Sequence, residues 1–393
     1  MDINMNKYKL GDISTDVSYG YTESASLKNV GPKFLRITDI QEDRIDWDKV
    51  PFCPITRENF IKYKLEIGDI VIARTGNSTG ASSTIKCNIE AVFASYLIRF
   101  RLNRKIANPF FVDFVLRSTL WKNFVESIKG GSAQPGANAK QLAEFEFKLP
   151  DLPSQSSIAS ILSSLDDKIE LNRRMNQTLE QMAQVLYNHY FVDNIDVDNL
   201  PEGWKIGKVG DIFALLYGKA LKEQNRKGGV YPVVGSSGIV GYHNEFICKG
   251  NGIVVGRKGN AGSVIWLHDA FYPIDTTFYV SDLQGIEGLY YYYFLLKSLN
   301  LRNLNSDSAV PGLNKTEAHN QDVLIPNKSK INEFNNYVSY FFERIKTSEK
   351  ETNTLTKIRD TLLPKLMSGE IDVSELNEEK LKEEHLTENI INA

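Results

Sequence analysis

The feature that most restricts what this 393-residue chain can fold into is a seam of apolar residues running through Leu152 to Asp193. Ile158, Leu162, Leu165, Ile169, Leu179, Ala183 and Leu186 recur at alternating spacings of four and three, which sets them along one side of a helix, and only Asn172 and Asn176 interrupt them. At about 1.5 Å per residue such a helix is roughly 50 Å long, too long to lie inside a small domain, so it needs a partner. A shift of 176 positions supplies one. The seam then falls on Phe334, Val338, Phe341, Ile345, Ser348, Thr352, Leu355, Arg359 and Leu362, with the polar break reproduced at the same place. The same shift lays Ser132 to Asn138 (SAQPGAN) on Ser308 to Asn314 (SAVPGLN), and Leu149-Pro150 on Ile325-Pro326. One offset shared over such a span is an internal duplication of a single unit, globular part first and long helix second.

The length fits two such units. Short β-like runs ended by glycine-rich turns occur in both halves, Ile70 to Ala73 in the first and Gly252 to Val255 in the second. Each is followed by a more helical apolar segment, Asn108 to Leu120 and Leu289 to Leu299, the first with an N-capping asparagine and proline at the first helical position. Each half therefore reads as a strand-rich α+β domain with a long helix at its end. The tyrosine run Tyr290 to Tyr293 could stack on bases, but its helical spacing favours a core role.

Composition narrows the function classes. No run of 18 apolar residues exists and the first residues carry no apolar leader, so a cytoplasmic protein is expected with no membrane partner. Three separated cysteines, Cys53, Cys87 and Cys248, suggest reduced, buried thiols rather than a disulfide framework, and the five histidines show no metal-ligand spacing with them, so no metal site is assigned. The net charge of -3 argues against a general nucleic-acid binder. Residues 151–199 are net acidic and 326–369 net basic, which favours pairing of the two helices, although solvated faces would look the same.

Two loop pairs carry candidate chemistry. Arg74-Thr75-Gly76-Asn77-Ser78 matches Arg257-Lys258-Gly259-Asn260: the glycines expose backbone N–H groups, and the side chains offer donors to phosphates or base edges. A tight turn with arginine in solvent is the alternative, and recurrence in both halves disfavours it. The second pair is the Ser-Ala-x-Pro-Gly-x-Asn element, preceded by Lys129 in the first half. An architectural turn and a DNA-facing loop fit it equally. The candidate DNA-binding residues are thus Arg74, Thr75, Asn77, Ser78, Lys129, Ser132 and Asn138, with Arg257, Lys258, Asn260, Ser308 and Asn314. No GxxxxGK[ST] loop exists, Asn108-Pro109-Phe110-Phe111 lacks the second proline of an amino-methyltransferase loop, and nothing assembles into a catalytic centre. No enzymatic activity is expected of the chain itself.

These residues resemble the specificity (S) subunits of type I restriction-modification systems. The resemblance rests on Leu65-x-x-Gly68-Asp69-Ile70-Val71 with the Arg74 loop and on Leu149-Pro150-x-Leu152-Pro153-x-Gln155-x-x-Ile158-Ala159. It rests also on Leu165 to Asn172, Leu179-Glu180-x-Met182-Ala183 and Leu200-Pro201-x-Gly203-Trp204. It covers nearly the whole chain, with two departures. The first half lacks the Leu-Pro-x-Gly-Trp opening, and the second helix begins without the Pro-x-x-x-Gln pattern, so different contacts to partner subunits are expected there.

The resemblance implies an α+β protein with two tandem mixed α/β target recognition domains, separated by two long helices that pair as an antiparallel coiled coil in a pseudo-two-fold repeat. The expected division is recognition domain 1 over 1–151, spacer helix 1 over 152–195, recognition domain 2 over 196–326, spacer helix 2 over 327–370 and an acidic tail over 371–393. The helix-pairing residues would be Ile158, Leu162, Leu165, Ile169, Leu179 and Leu186 with Phe334, Val338, Phe341, Ile345, Leu355 and Leu362. Each domain would read half of a split, asymmetric double-stranded DNA target. Two methyltransferase subunits using S-adenosylmethionine and two restriction subunits using ATP and Mg2+ would dock on the chain, which itself binds no cofactor. A related type II system with one fused partner, or a duplicated protein-binding scaffold without DNA recognition, would give much the same sequence.

Overall fold

The computed structural model describes residues 5–41, 44–129, 136–193, 195–281, 288–304 and 312–371. It divides into two compact units, Met1–Glu170 with Asn353–Ala393, and Leu171–Thr352. Each unit contains one recognition segment and a stretch of both long helices. Among the described residues no helix is long and apolar enough to cross a membrane. All three cysteines are free; Cys53 and Cys248 are buried as expected, but Cys87, in the bend that follows the strand Ser82–Thr84, is exposed.

In the first unit the order is β1 (Asn6–Lys9), β2 (Ser14–Tyr19), β3 (Lys33–Leu35), β4 (Ile40–Gln41), β5 (Arg44–Ile45), α1 (Arg57–Tyr63), β6 (Ile70–Ala73), β7 (Ser82–Thr84), β8 (Ala91–Phe93) and β9 (Leu97–Leu102). Then come α2 (Pro109–Val115), α3 (Thr119–Ile128), α4 (Ala139–Ala143), β10 (Glu146–Leu149) and the beginning of α5 (Leu152–Phe191). A four-stranded antiparallel sheet, β2-β9-β6-β7, forms the centre, with β1 paired to β10 and β3 running parallel to β8. Asn108 accepts the backbone N–H groups of Phe110 and Phe111 and Pro109 takes the first helical position, as the sequence predicts.

The second unit repeats the plan with β11 (Lys205–Lys208), β12 (Leu216–Tyr217), β13 (Tyr231–Gly235), β14 (Gly238–His243), β15 (Gly252–Gly256), β16 (Val264–Leu267), β17 (Tyr272–Pro273) and β18 (Thr277–Val280). There follow α6 (Tyr290–Ser298), α7 (Lys315–His319), β19 (Asp322–Ile325) and α8 (Lys328–Ser368). Its sheet order β12-β18-β15-β16, its β11-β19 pair and its parallel β13-β17 pair are the counterparts of those above.

The apolar seam of the long helices packs onto the recognition segments as well as onto the opposite helix. In the first unit Ile158, Leu162 and Leu362 are fully buried in one cluster with Phe114, Val115, Leu142 and Phe147, joined by Ile358 and Leu366. Ile169 is also buried there, while Leu165 and Leu355 are half-buried. In the second unit Phe334, Val338 and Ile345 are buried, while Leu179, Leu186 and Phe341 are half-buried. Tyr187, Phe191 and Phe342 go deeper than Leu186 and Phe341, because the tyrosine run of α6 lies against them: Phe191 to Tyr291 and Tyr290 to Phe342 have ring centroids 4.7 and 4.9 Å apart. The tyrosines are thus core, consistent with their helical spacing. The helices run antiparallel in this unit, with Asn172 Nδ2 donating to Glu351 at 2.8 Å and Tyr190 bonded to Glu333.

The missing Pro-x-x-x-Gln at the second helix has an internal explanation. Gln155, buried on α5, accepts the N–H of Asn108 (2.8 Å) and donates to the carbonyls of Ile106 (3.1 Å) and Pro150 (2.8 Å). On α8 the buried Asn335, one turn beyond the position equivalent to Gln155, accepts the N–H of Tyr291 (2.9 Å) and donates to the carbonyl of Gly288 (3.1 Å). Both amides satisfy backbone groups at the start of the apolar helix of their own unit, so this glutamine is spent within the chain. Gln155→Leu strands three backbone groups and is expected to cost about 2–3 kcal/mol, read as a shift in the urea midpoint of the purified chain. An unchanged midpoint would remove this role.

Candidate nucleic-acid interface

In both units the most buried strand of the sheet ends at an arginine. Strand β6 is wholly buried up to Ala73, then comes Arg74; β15 is wholly buried up to Gly256, then comes Arg257. Each loop returns through two left-handed glycines, Gly76 and Gly80 (φ 73° and 88°) and Gly259 and Gly262 (both 75°). Any other residue is strained there. The loops close in the same way, Gly80 N–H donating to the Ala73 carbonyl and Gly262 N–H to that of Gly256, each at 2.8 Å.

The two loop pairs that the sequence offers separately come together. Ala137 N–H donates to the Arg74 carbonyl (2.9 Å), with a bridge between Thr75 and Gly136. Leu313 N–H donates to the Arg257 carbonyl (2.8 Å), with a bridge between Lys258 and Gly312. The described end of this element, from Gly136 in one unit and Gly312 in the other, therefore zips onto the arginine loop through the main chain. Asn138 and Asn314 have architectural work: each caps a short helix, accepting from Gln141 N–H in α4 and Thr316 N–H in α7. Ser132 and Ser308 lie outside the described residues. Lys129 sits at the end of α3 with its ammonium paired to Glu126. Asn77, Lys258 and Asn260 are exposed, and Thr75 and Ser78 are half-buried.

Each arginine is aimed by neighbours the sequence reading missed. Arg74 Nε donates to the Ser95 carbonyl (3.1 Å), and the guanidinium lies 5.1 Å from the Tyr19 ring and 5.9 Å from that of Tyr96. Arg257 Nη1 donates to the Asp275 carbonyl (3.2 Å), with its guanidinium 5.1 Å from the Tyr217 ring and 5.9 Å from Phe278. Lys315 adds a second cation 5.3 Å from the Tyr217 ring. Tyr19 and Tyr217 stay 43% and 53% exposed, so each unit presents an arginine stacked on an open tyrosine. Such stacking contributes ~0.5–1 kcal/mol at an exposed site and holds the guanidinium plane in one attitude. With one donor used, the remaining N–H groups of the fork match phosphate oxygens or the O6 and N7 acceptors of guanine.

The missed signal was a Tyr-Gly pair in each half, Tyr19-Gly20 and Tyr217-Gly218. A Cβ at Gly20 would stand 2.2 Å from the Ala94 carbonyl oxygen, and one at Gly218 would stand 2.1 Å from that of Ile274. Only glycine lets the strand carrying the tyrosine pass so close to the chain beside the arginine.

The sequence matches the type I restriction modification DNA specificity domain twice, over residues 3–181 and 201–357. It is 26% identical to the type I restriction enzyme MjaIX specificity subunit of Methanocaldococcus jannaschii over 68% of this chain and 70% of that one. It is 23% identical to the HindI specificity subunit of Haemophilus influenzae over 93% of this chain and 99% of that one. The fold is similar to the S subunit of a type I restriction-modification system from M. genitalium, with a TM-score of 0.60 over 93% of this chain and 96% of that one at 17% identity.

Proposed function

The chain belongs to the family of the type I restriction modification DNA specificity domain, and from that membership we propose that it is the non-catalytic sequence-recognition subunit of a type I restriction-modification complex. Each unit reads one half of a split, asymmetric double-stranded DNA target, and the paired helices act as the spacer between the halves. The chain is the scaffold for methyltransferase subunits, which methylate adenine N6 with S-adenosylmethionine, and for restriction subunits that use ATP and Mg2+. It holds none of these cofactors itself.

One observation carries the reading: the same device, an arginine oriented by a backbone carbonyl and stacked on an exposed tyrosine, recurs at equivalent places in both units. Duplicated donors on a strand-end loop suit contact with two separate DNA segments. The net charge of -3 fits a chain that shares its phosphate contacts with partners, so the isolated chain is expected to bind DNA weakly.

The test is single-molecule sequencing of adenine methylation in cells carrying the whole system, with and without this chain. A bipartite motif is expected to vanish on deletion, and exchange of one recognition segment for another is expected to change one half of the motif alone. Methylation that persists without the chain would overturn the proposal.

A further inference from the structure

The two units diverge at one place that the arginine loops do not explain. In the first, β3 pairs in parallel with β8 and leads into a short hairpin and α1. In the second, the equivalent β13 pairs in parallel with β17 on one side and carries an antiparallel partner, β14, on the other. Strand β14 is an edge, and Ile239 and Tyr242 on it are 54% and 49% exposed. Open apolar edge strands invite aggregation and are usually blunted with charge or proline. Among the described residues this one is left open.

Its geometry is fixed. The register changes between Val233 and Val234, where Val240 is the extra residue, and Arg226 Nη1 donates to the Val240 carbonyl. Because of this bulge Ile239 and Tyr242, opposite Val234 and Pro232, share one face although they are an odd number of residues apart. The turn of the ribbon rests on the arginine loop: Ser263 Oγ donates to the Ser236 carbonyl at 2.7 Å and Asn260 N–H reaches Ser236 Oγ at 3.4 Å. From Arg226 to Asn244 the chain carries no carboxylate.

We propose that the β13–β14 ribbon is the base-reading element of the second unit, entering the major groove so that Ile239 and Tyr242 contact thymine C5-methyl groups while Arg257 holds the adjoining backbone or guanine. The proposal rests on the DNA-recognition reading above and adds which residues discriminate. A two-stranded ribbon fits the major groove, and the thymine methyl is the one apolar feature displayed there. A run free of carboxylates that is continuous with the arginine loop suits a polyanion better than a protein partner. The first unit has no such ribbon among its described residues, which gives the two half-sites different readers.

The experiment uses the complex of this chain with its methyltransferase subunit and duplexes in which deoxyuridine replaces thymine in one half-site at a time, removing only the methyl groups. The wild-type complex is expected to lose methylation rate at low DNA concentration by roughly fourfold per contacted methyl, in the half-site read by the second unit. The Ile239→Ser/Tyr242→Ser variant is expected to be slower on thymine and indifferent to the replacement, with the motif of the other half unchanged. Equal discrimination by wild type and variant, or none by the wild type, overturns the ribbon proposal and leaves β14 as a protein contact. Absence of any chain-dependent methylation overturns the DNA reading itself, a distinct result.

Discussion

Exchanging both Arg74 and Arg257 for glutamate is expected to abolish sequence-specific methylation by the assembled complex while the subunits still co-purify. An arginine fork on guanine contributes about 1–3 kcal/mol of discrimination, so loss of one such contact lowers methylation roughly tenfold to a hundredfold, and a carboxylate facing phosphate adds repulsion. Folding should barely change, since each guanidinium is partly exposed and its stacking contributes no more than ~1 kcal/mol. Arg257→Lys separates charge from shape: it keeps the cation but loses the planar fork, and an intermediate rate is expected if bases are read. Methylation rate on the cognate target, with melting temperature and co-purification alongside, is the measurement. A double variant that still methylates would show that DNA is read elsewhere.

Loss of Asp166 is expected to be the most destabilising single charge change in the first unit. Its carboxylate, largely buried on α5, accepts from Arg117 Nη1 and from Arg359 Nη1, each at 2.8 Å, with Lys86 Nζ at 3.8 Å. Arg117 is also paired to the buried Asp113, which accepts from Thr84 Oγ1 at 2.8 Å. One carboxylate thus ties the turn between α2 and α3 and the last turns of α8 to α5. Removing it leaves two largely buried guanidiniums without their shared anion, and Asp166→Ala is expected to cost about 3–5 kcal/mol in the urea or thermal unfolding of the purified chain.

Acid provides an independent check on the same cluster. Burial by itself would raise the Asp166 pKa, but Arg117, Arg359 and Lys86 outweigh it and hold the group below the ordinary carboxylate value. A folded pKa below the unfolded one, ~3.9, means that the stabilisation is fully present above that pH and is lost as pH falls through the folded value. The gap in melting temperature between wild type and Asp166→Asn should therefore be constant at neutral pH and close below about pH 4. A gap that persists unchanged in acid would mean that the ion cluster is not its source.

What could be read in the sequence is what repeats or is periodic. The shared offset announced two copies of one unit, the four-and-three seam announced two long helices, and the two arginine loops stood at matching places because a buried strand must end in a turn and glycine marks where it does. The Asn108-Pro109 start and the core role of the tyrosine run follow from local spacing as well. The ends of the seam did not: Phe342, Tyr187 and Phe191 go deeper than Phe341 and Leu186 because the α6 rings lie against them, and no helix carries that information in its own period.

Only the tertiary structure decided which distant segments meet. It joined the Pro-Gly element to the arginine loop, set Tyr19 and Tyr217 beneath the guanidiniums, moved the amide job of Gln155 to Asn335 in the second unit, and placed parts of both long helices in each compact unit. It also gave the second unit an open ribbon with no counterpart among the described residues of the first. Sequence by itself determined the elements and their duplication, because hydrophobic period and turn chemistry act over a few residues. The site was decided by packing, because main-chain hydrogen bonds and ring contacts between segments far apart in the chain depend on where the backbone returns, which no local pattern encodes.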